Sequence, residues 1–419
     1  MKIKKHSVMV LPLVLSAVYA NTALGAGFQL LEQNASGLGN AYAGSGVDTE
    51  NASVLHFNPA AMTYLPGIHV TGGVTAIRPS FKFTDNGQSV TPFNTKGTSG
   101  GDAGGWGVVP NLAATWQLNP RWYVGLGVGV PFGLKTEYED DWVGRFHSRE
   151  FEIKTININP TIAYRVNDQW SIGAGVNWQR IDAKYKLAVP VVHPLLPFPI
   201  EGDAKVDVNG DAWGWNVGVV FQPVESTRIG LSYRSRIKHT GKGDTNIAVQ
   251  GQHMLATDAR ATVKLPDTAI LSVSHQLNPR WTLLGDVSWT GWSSIPELTI
   301  ENQGLPSNAL DLQFRDTWRF ALGAKYKINE DWTWKVGVAT DQAPIRSAEK
   351  RPTSLPDNNR RWYSTGVQYQ HKNMSFDVGY TYLYLKKTPI HNLEPGRGLV
   401  SGEYKSKGHV IGMQVSASF

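Results

Sequence analysis

The sequence predicts an all-β protein: a fourteen-stranded antiparallel transmembrane β-barrel with a small N-terminal hatch plugging the lumen. Three observations carry that prediction. Apolar residues alternate with small or polar ones along many segments; short polar turns alternate with long connections; and no run of 18 apolar residues offers a membrane helix beyond the N-terminal leader.

The leader comes first. Lys2, Lys4 and Lys5 precede an apolar run from Val8 to Val18, followed by small residues around Ala23 and Gly25, which reads as a secretory signal peptide over 1–25. Its removal lowers the net charge from +6 to about +3. The chain has no Cys, so neither disulfide staples nor cysteine redox chemistry is available. Positive charge is spread rather than clustered, which excludes a nucleic-acid partner.

Residues 26–67 do not alternate. They are rich in small residues (GLGNAYAGSG) and contain LHFNPAAMTYL, where Asn58 is a cap, Pro59 sits at the first helical position and Ala60 follows. Ahead of a barrel over 68–419, this stretch reads as a hatch.

The barrel strands follow from one repeated word. QLNPRW occurs at 117–122 and again at 276–281, and each copy opens a strand with Trp. After the first, Trp122, Val124, Leu126, Val128 and Val130 share one face and Gly125, Gly127 and Gly129 the other. After the second, Leu283, Val287 and Trp289 oppose Asp286 and Ser288. VNDQW and INEDW repeat the plan at Trp170 and Trp332, while QPVES and QHKNM make short turns without Trp. The strands fall near 68–82, 107–118, 121–131, 152–166, 170–185, 208–221, 227–239, 263–277, 281–299, 313–328, 332–343, 360–370, 374–386 and 404–419. Long connections lie at 132–151, 187–207, 240–262, 300–312, 345–359 and 387–403. A soluble sandwich fits less well, because the small and polar face holds glycine more than charge, as a crowded interior needs. Trp beside the short turns forms an aromatic belt. The final strand ends in Phe419, which resembles the terminal signal read by the barrel assembly machinery.

GFQLLEQNASGLGNAYAG with FNPAAM resembles the N-terminal hatch of the outer-membrane long-chain fatty-acid transporter family (FadL/TodX type), and PFGLKTEYEDDWVGR resembles that family's segment leaving the third strand. The resemblance spans the mature chain. It implies a monomeric fourteen-stranded barrel in the bacterial outer membrane, surrounded by lipid and lipopolysaccharide, carrying fatty acids or other hydrophobic molecules inward without energy input. It further implies that Ala26, Gly27, Phe28 and Leu30 line an inner binding pocket and that Asn58, Pro59 and Ala60 form the hatch motif.

The residues themselves suggest a route. VPVVHPLLPFPI, within 187–207, presents Leu195, Leu196, Phe198 and Ile200; with Met254 and Leu255 it forms either an outer capture groove or a loop packed over the barrel mouth. Three neighbouring strands carry proline, at Pro110, Pro131 and Pro160, and proline cannot donate to a ladder. Together with Gly133, they predict a lateral gap in the wall, consistent with the family's kinked third strand. By parity Arg228, Arg234, Arg319, Lys325 and Lys335 face the lumen, with Asp286 and Asp377 as partners, where they pin the hatch or meet a ligand carboxylate. The family's fatty-acid member has a basic residue high on the fifth strand; the matching position is Leu187, so Arg145 and Arg149 become candidates for the acid group. Neutral or aromatic hydrocarbons remain the alternative cargo.

Enzymatic motifs fail on context. The Gly-x-Ser-x-Gly match at Gly97–Gly101 lacks a strand-to-helix elbow for Ser99, no phosphate loop follows Gly125, Gly127 and Gly129, and Asp207, Asn209 and Asp211 lack the rest of a calcium loop. No cofactor or metal is expected. A general diffusion porin is the remaining rival, disfavoured by the plug and the greasy outer loop.

Overall fold

The computed structural model describes residues 27–192, 197–304 and 307–419; the leader, Ala26, Leu195 and Leu196 lie outside these. The wall begins with β1 (Ile68–Asp85), β2 (Gly107–Gln117), β3 (Trp122–Gly129), β4 (Gly133–Glu137), β5 (Glu150–Arg165), β6 (Trp170–Val191) and β7 (Ile200–Val224). It continues through β8 (Thr227–Arg234), β9 (Ile237–Val249), β10 (Gln252–Leu265), β11 (Thr268–Gln276), β12 (Trp281–Thr290), β13 (Glu297–Asn302), β14 (Asn308–Asp311) and β15 (Thr317–Lys327). The last strands are β16 (Trp332–Asp341), β17 (Arg360–His371), β18 (Met374–Leu385), β19 (Thr388–Glu394) and β20 (Gly398–Ser418). These strands make fourteen crossings, because β3/β4, β8/β9, β10/β11, β12/β13, β14/β15 and β18/β19 are each one interrupted crossing. All pairings between these strands are antiparallel, and β1 meets β20, with Val74 opposite Met413, so the sheet closes on itself apart from a local break between β3 and β4.

The repeated word makes the same turn twice. Asn119 Oδ1 accepts from the backbone N–H of Arg121 and Trp122 at 2.9 and 3.0 Å. Asn278 does so for Arg280 and Trp281, both at 2.9 Å. The Trp then lies on a cross-strand ring, with centroids 4.6 Å apart for Trp122–Tyr164 and 4.7 Å for Trp281–Tyr326. Trp170 on Phe221 and Trp332 on Tyr369 continue the ring of aromatics along the short-turn rim.

The long connections differ from expectation. Much of 187–207 and 240–262 is strand: β6 and β7 remain paired to Val191 opposite Ile200, and β9 and β10 to Val249 opposite Gln252. Segments such as TGKGDTN have no apolar face to announce them, yet in-register neighbours on both sides satisfy their backbone groups.

Residues 27–67 fill the lumen as coil with three short 3-10 turns, Gly37–Asn40, Ala52–His56 and Pro59–Tyr64. The last is started as its sequence requires: Asn58 Oδ1 accepts from Ala60 N–H at 3.0 Å, with Pro59 next. Asn58 Nδ2 also donates to Val219 O at 3.2 Å. The strands admit this contact because Gly218 faces Asn58; a Cβ there would stand 2.0 Å from its Oδ1. At Gly127 a Cβ would meet Leu55 at 2.6 Å, so the glycine face of β3 exists to let the plug approach.

Lumenal charges fasten the plug. Lys325 Nζ lies 2.5 Å from Asp48 and 2.7 Å from Glu50. Lys335 Nζ lies 2.7 Å from Glu50 and 2.8 Å from Asp377. Arg319 donates to Ala41 O at 2.6 Å, while Arg228 meets the Thr49 hydroxyl and covers the Tyr64 ring. Asp286 accepts from the Gly44 and Ser45 N–H groups at 2.9 and 3.1 Å and so binds the plug backbone rather than a cation.

Candidate functional site

On the long-loop side of the plug, the lumen contains an apolar cavity of about 890 Å³, its mouth included. Its wall uses the upper parts of several crossings: Ile153 from β5, Ile181 from β6, Val206 and Val208 from β7, Ile300 from β13 and Leu310 from β14. Lys184, Tyr185, His239 and Ser354 are the polar residues along it. His239 shares a 2.9 Å hydrogen bond between its Nε2 and Gln179 Oε1.

Phe28 forms part of the cavity wall and packs edge-on to Trp292 and Phe132, with centroids 4.9 and 6.0 Å apart. Gly27 has φ +62°, and a Cβ there would meet the Trp292 ring at 2.7 Å, so this position needs glycine. Its N–H donates to Asp357 Oδ2 at 2.8 Å, fixing the start of the described chain.

A second chamber, of about 690 Å³, lies on the other side of this aromatic cluster. Leu30, Gln33, His56, Pro131, Phe132 and Arg234 are among its lining residues. It abuts a break in the wall. β3 stops at Gly129 and β4 starts at Gly133; β2 pairs β3 only as far as Leu112 opposite Val128, and β4 pairs β5 alone. The opening ends above where Glu137 N–H donates to Ala103 O at 3.0 Å. On the inside, the plug takes the missing neighbour's place: Leu30 N–H donates to Pro131 O at 2.8 Å and Gly133 N–H to Phe28 O at 2.9 Å.

The three prolines are not equivalent. Pro131 lies in the break. Pro110 pairs across to Val74 of β1 and has no β3 partner, so it borders the opening. Pro160 stays opposite Leu126 of β3, but on its other side the β5–β6 register lapses at Asn159 and Pro160, where Asn159 Nδ2 donates to Val176 O at 2.9 Å in place of the donor that proline lacks; this lapse lies away from the break between β2 and β4.

Phe198, Met254 and Leu255 are exposed at the tips of adjacent hairpins, with Ile200 half-buried at the start of β7. The tips are neighbours because β7 pairs β9, Asp203 opposite Ala248. None of these side chains lines the apolar cavity. Arg145 and Arg149, offered for a ligand's acid group, are held by protein carboxylates: Arg145 is 2.8 Å and Arg149 3.1 Å from Glu201, and Arg149 also pairs with Asp203. They clamp the loop against β7. Sequence reading missed Phe132, Trp292 and Phe314, which form the aromatic cluster with Phe28; they come from three separate crossings and share no local pattern.

Glu32, in the plug, is fully buried and neither carboxylate oxygen has a hydrogen-bond partner. Burial raises its pKa from the ordinary 4.5 to about 7, opposed by Arg360 and Arg319. His56 is lowered to about 4 by burial and then by Arg234.

A closed barrel with an apolar exterior, a fastened plug and a greasy chamber above it defines an outer-membrane channel for hydrophobic solutes. The comparisons agree. Residues 16–419 match the family model described as outer membrane protein transport protein (OMPP1/FadL/TodX), and the chain belongs to that family. It is 32% identical to outer membrane protein P1 of Haemophilus influenzae strain Rd over the whole of both chains. It is 29% identical to the long-chain fatty acid transport protein of Escherichia coli K12, covering 90% of this chain and 91% of that one. A Pseudomonas aeruginosa FadL homologue superposes with TM-score 0.87 at 26% identity, over 94% of this chain and all of the other. The toluene transporter TodX of Pseudomonas putida shares the fold, with TM-score 0.67 at 17% identity, over 88% and 94%. The protein is thus an outer-membrane transporter of hydrophobic molecules.

Proposed function

We propose that the chain takes up long-chain fatty acids passively. Capture occurs at the hairpin tips around Phe198, Met254 and Leu255; the ligand passes to the apolar cavity at Phe28 and leaves sideways through the opening at Pro131 and Gly133, bordered by Pro110. The observation that carries this reading is the adjacency of cavity, N-terminal segment and wall break, with the plug's own backbone closing the break from inside. Burial supplies the drive at about 0.8 kcal/mol per CH₂, which no water-filled pore offers. Exit into the bilayer spares the tail from the aqueous periplasm. The barrel works as a monomer in outer-membrane lipid and lipopolysaccharide, 26–67 acts as the hatch, and Phe419 addresses the chain to the barrel assembly machinery; no step requires a cofactor or an enzymatic residue.

A second reading, uptake of neutral or aromatic hydrocarbons, draws on the apolar cavity's lining, which is hydrocarbon apart from Lys184, Tyr185, His239 and Ser354. Uptake into outer-membrane vesicles separates the two: palmitate entry with little toluene entry supports the first, and the reverse supports the second. Gly133→Trp fills the opening from the lumen, where an added Cβ would stand 3.0 Å from Leu30. Loss of uptake in a barrel that still folds is expected; unchanged uptake removes the lateral route.

A further inference from the structure

The second chamber has an unusual charge inventory. Its wall contains one permanent cation, Arg234 of β8, and neither Asp nor Glu. The guanidinium donates to His56 O at 2.9 Å and to Asn177 Oδ1, both neutral acceptors, and among the described residues no carboxylate lies within ion-pair distance of it. Two of the plug-fastening cations are neutralised, Lys325 by Asp48 and Glu50 and Lys335 by Glu50 and Asp377; Arg228 and Arg319, like Arg234, bond neutral acceptors, but of these three only Arg234 lines this chamber. A guanidinium removed from bulk water without a counter-charge is costly, and an arriving anion relieves that cost.

A second, independent feature points the same way. His56 lines this chamber, is 8% exposed, and keeps its Nε2 buried without a hydrogen-bond partner. A neutral imidazole in the Nε2–H tautomer offers one donor beside the guanidinium. Leu30, Phe57, Phe132 and Ile270 supply apolar wall to the same space. One cation, one spare donor and a greasy remainder match the two ends of a single-chain amphiphile.

We propose that this chamber binds the carboxylate of a fatty acid, with Arg234 as its charge partner and His56 as a second donor, at the threshold of the opening by Pro131. This rests on the uptake reading and deepens it: the apolar cavity selects for a long tail, and the second chamber selects for an acid head. The acid group assigned from sequence to Arg145 and Arg149 belongs here instead, since Glu201 and Asp203 already occupy those two arginines.

The test measures binding of radiolabelled palmitate and of hexadecanol to the detergent-purified full-length protein, with heat-modifiable gel mobility as the check on folding. Wild type should prefer palmitate. Arg234→Gln should lower the palmitate-to-hexadecanol affinity ratio at least tenfold, His56→Phe should lower it several-fold, and Arg234→Lys should recover most of it. A wild-type protein with no preference for the acid overturns the proposal even if Arg234→Gln does not fold. An unchanged ratio in Arg234→Gln, or a fall in both affinities together, overturns it as well by leaving Arg234 a merely structural role. Wild-type protein that binds neither amphiphile sinks the uptake reading too, whereas equal binding of both sinks only the carboxylate site.

Discussion

The lower and upper halves of the barrel use the same two-residue alternation with opposite polarity. Along β6, the residues facing inward run Ser171, Gly173, Gly175, Asn177 and Gln179, and then, with no change of parity, Ile181, Ala183, Tyr185 and Leu187. The outward row inverts in step, from Trp170, Ile172 and Val176 to Arg180, Asp182 and Lys186. β7 mirrors it: Asn216 is buried between outward Trp215 and Val217, whereas higher up Val206 and Val208 line the cavity between Lys205 and Asp207. Lipid and a polar plug dictate the first pattern; water outside and a greasy cavity inside dictate the second. The level at which polarity flips marks both the membrane boundary and the floor of the apolar chamber.

The sharpest break of the lower half is Lys335→Met. It leaves Asp377 buried without its cation and strips one partner from Glu50, and removing one member of a buried pair costs about 3–5 kcal/mol. The plug should loosen, read as faster proteolysis within 27–67 and as new ion conductance in planar bilayers. Persistence of a closed, protease-resistant plug would show that the charge network is dispensable.

Next comes pH. Glu32 has a pKa raised from 4.5 to about 7, so the folded plug holds a proton that the released segment gives up. The sign follows: plug docking is most favourable below about 4.5, weakens as pH rises through 7, and loses on the order of 3 kcal/mol in all. Arg319, Arg360 and Tyr42 are the charged or titratable groups acting on it. Glu32→Gln should flatten the pH profile of plug protection in hydrogen exchange; an equally steep profile in the variant excludes this carboxyl.

In the upper half, Ile181→Asn places an unpaired amide on the dry cavity wall, at about 1–3 kcal/mol. Long-chain ligand affinity should fall roughly tenfold by this cost while the melting temperature of the barrel stays close to wild type. The smallest expected effect is Asn58→Ala, which removes the cap on Pro59–Tyr64 and the tie to Val219, worth about 1 kcal/mol of local plug stability, visible as modest extra exchange at Ala60.

Period two, the Trp-bearing turns and the length of the chain made fourteen crossings legible, and the Asn58-Pro59 start was readable from capping chemistry alone. The extended hairpins were not. Their outer rows are charged and their inner rows apolar, so a reading that takes apolar as lipid-facing loses them at Arg180 or Lys205. Of the sites, Pro131 with Gly133 at the break could be anticipated from a proline and a glycine, whereas Phe28 at the cavity followed from the family resemblance alone. Whether Arg145, Arg149 or Arg234 had a free guanidinium could not, because Glu201 and Asp203 reach the first two from a strand more than fifty residues away in sequence.

The sequence by itself determined the alternation, the turns and therefore a closed wall, since each is a property of a few adjacent residues and of hydrogen bonds that must be met in lipid. Tertiary structure alone decided which cations were neutralised, where Phe28 met Trp292, and that the plug's backbone would stand in for a missing strand at Pro131. Those outcomes depend on which distant groups arrive within a few ångströms of one another, and no local period encodes that.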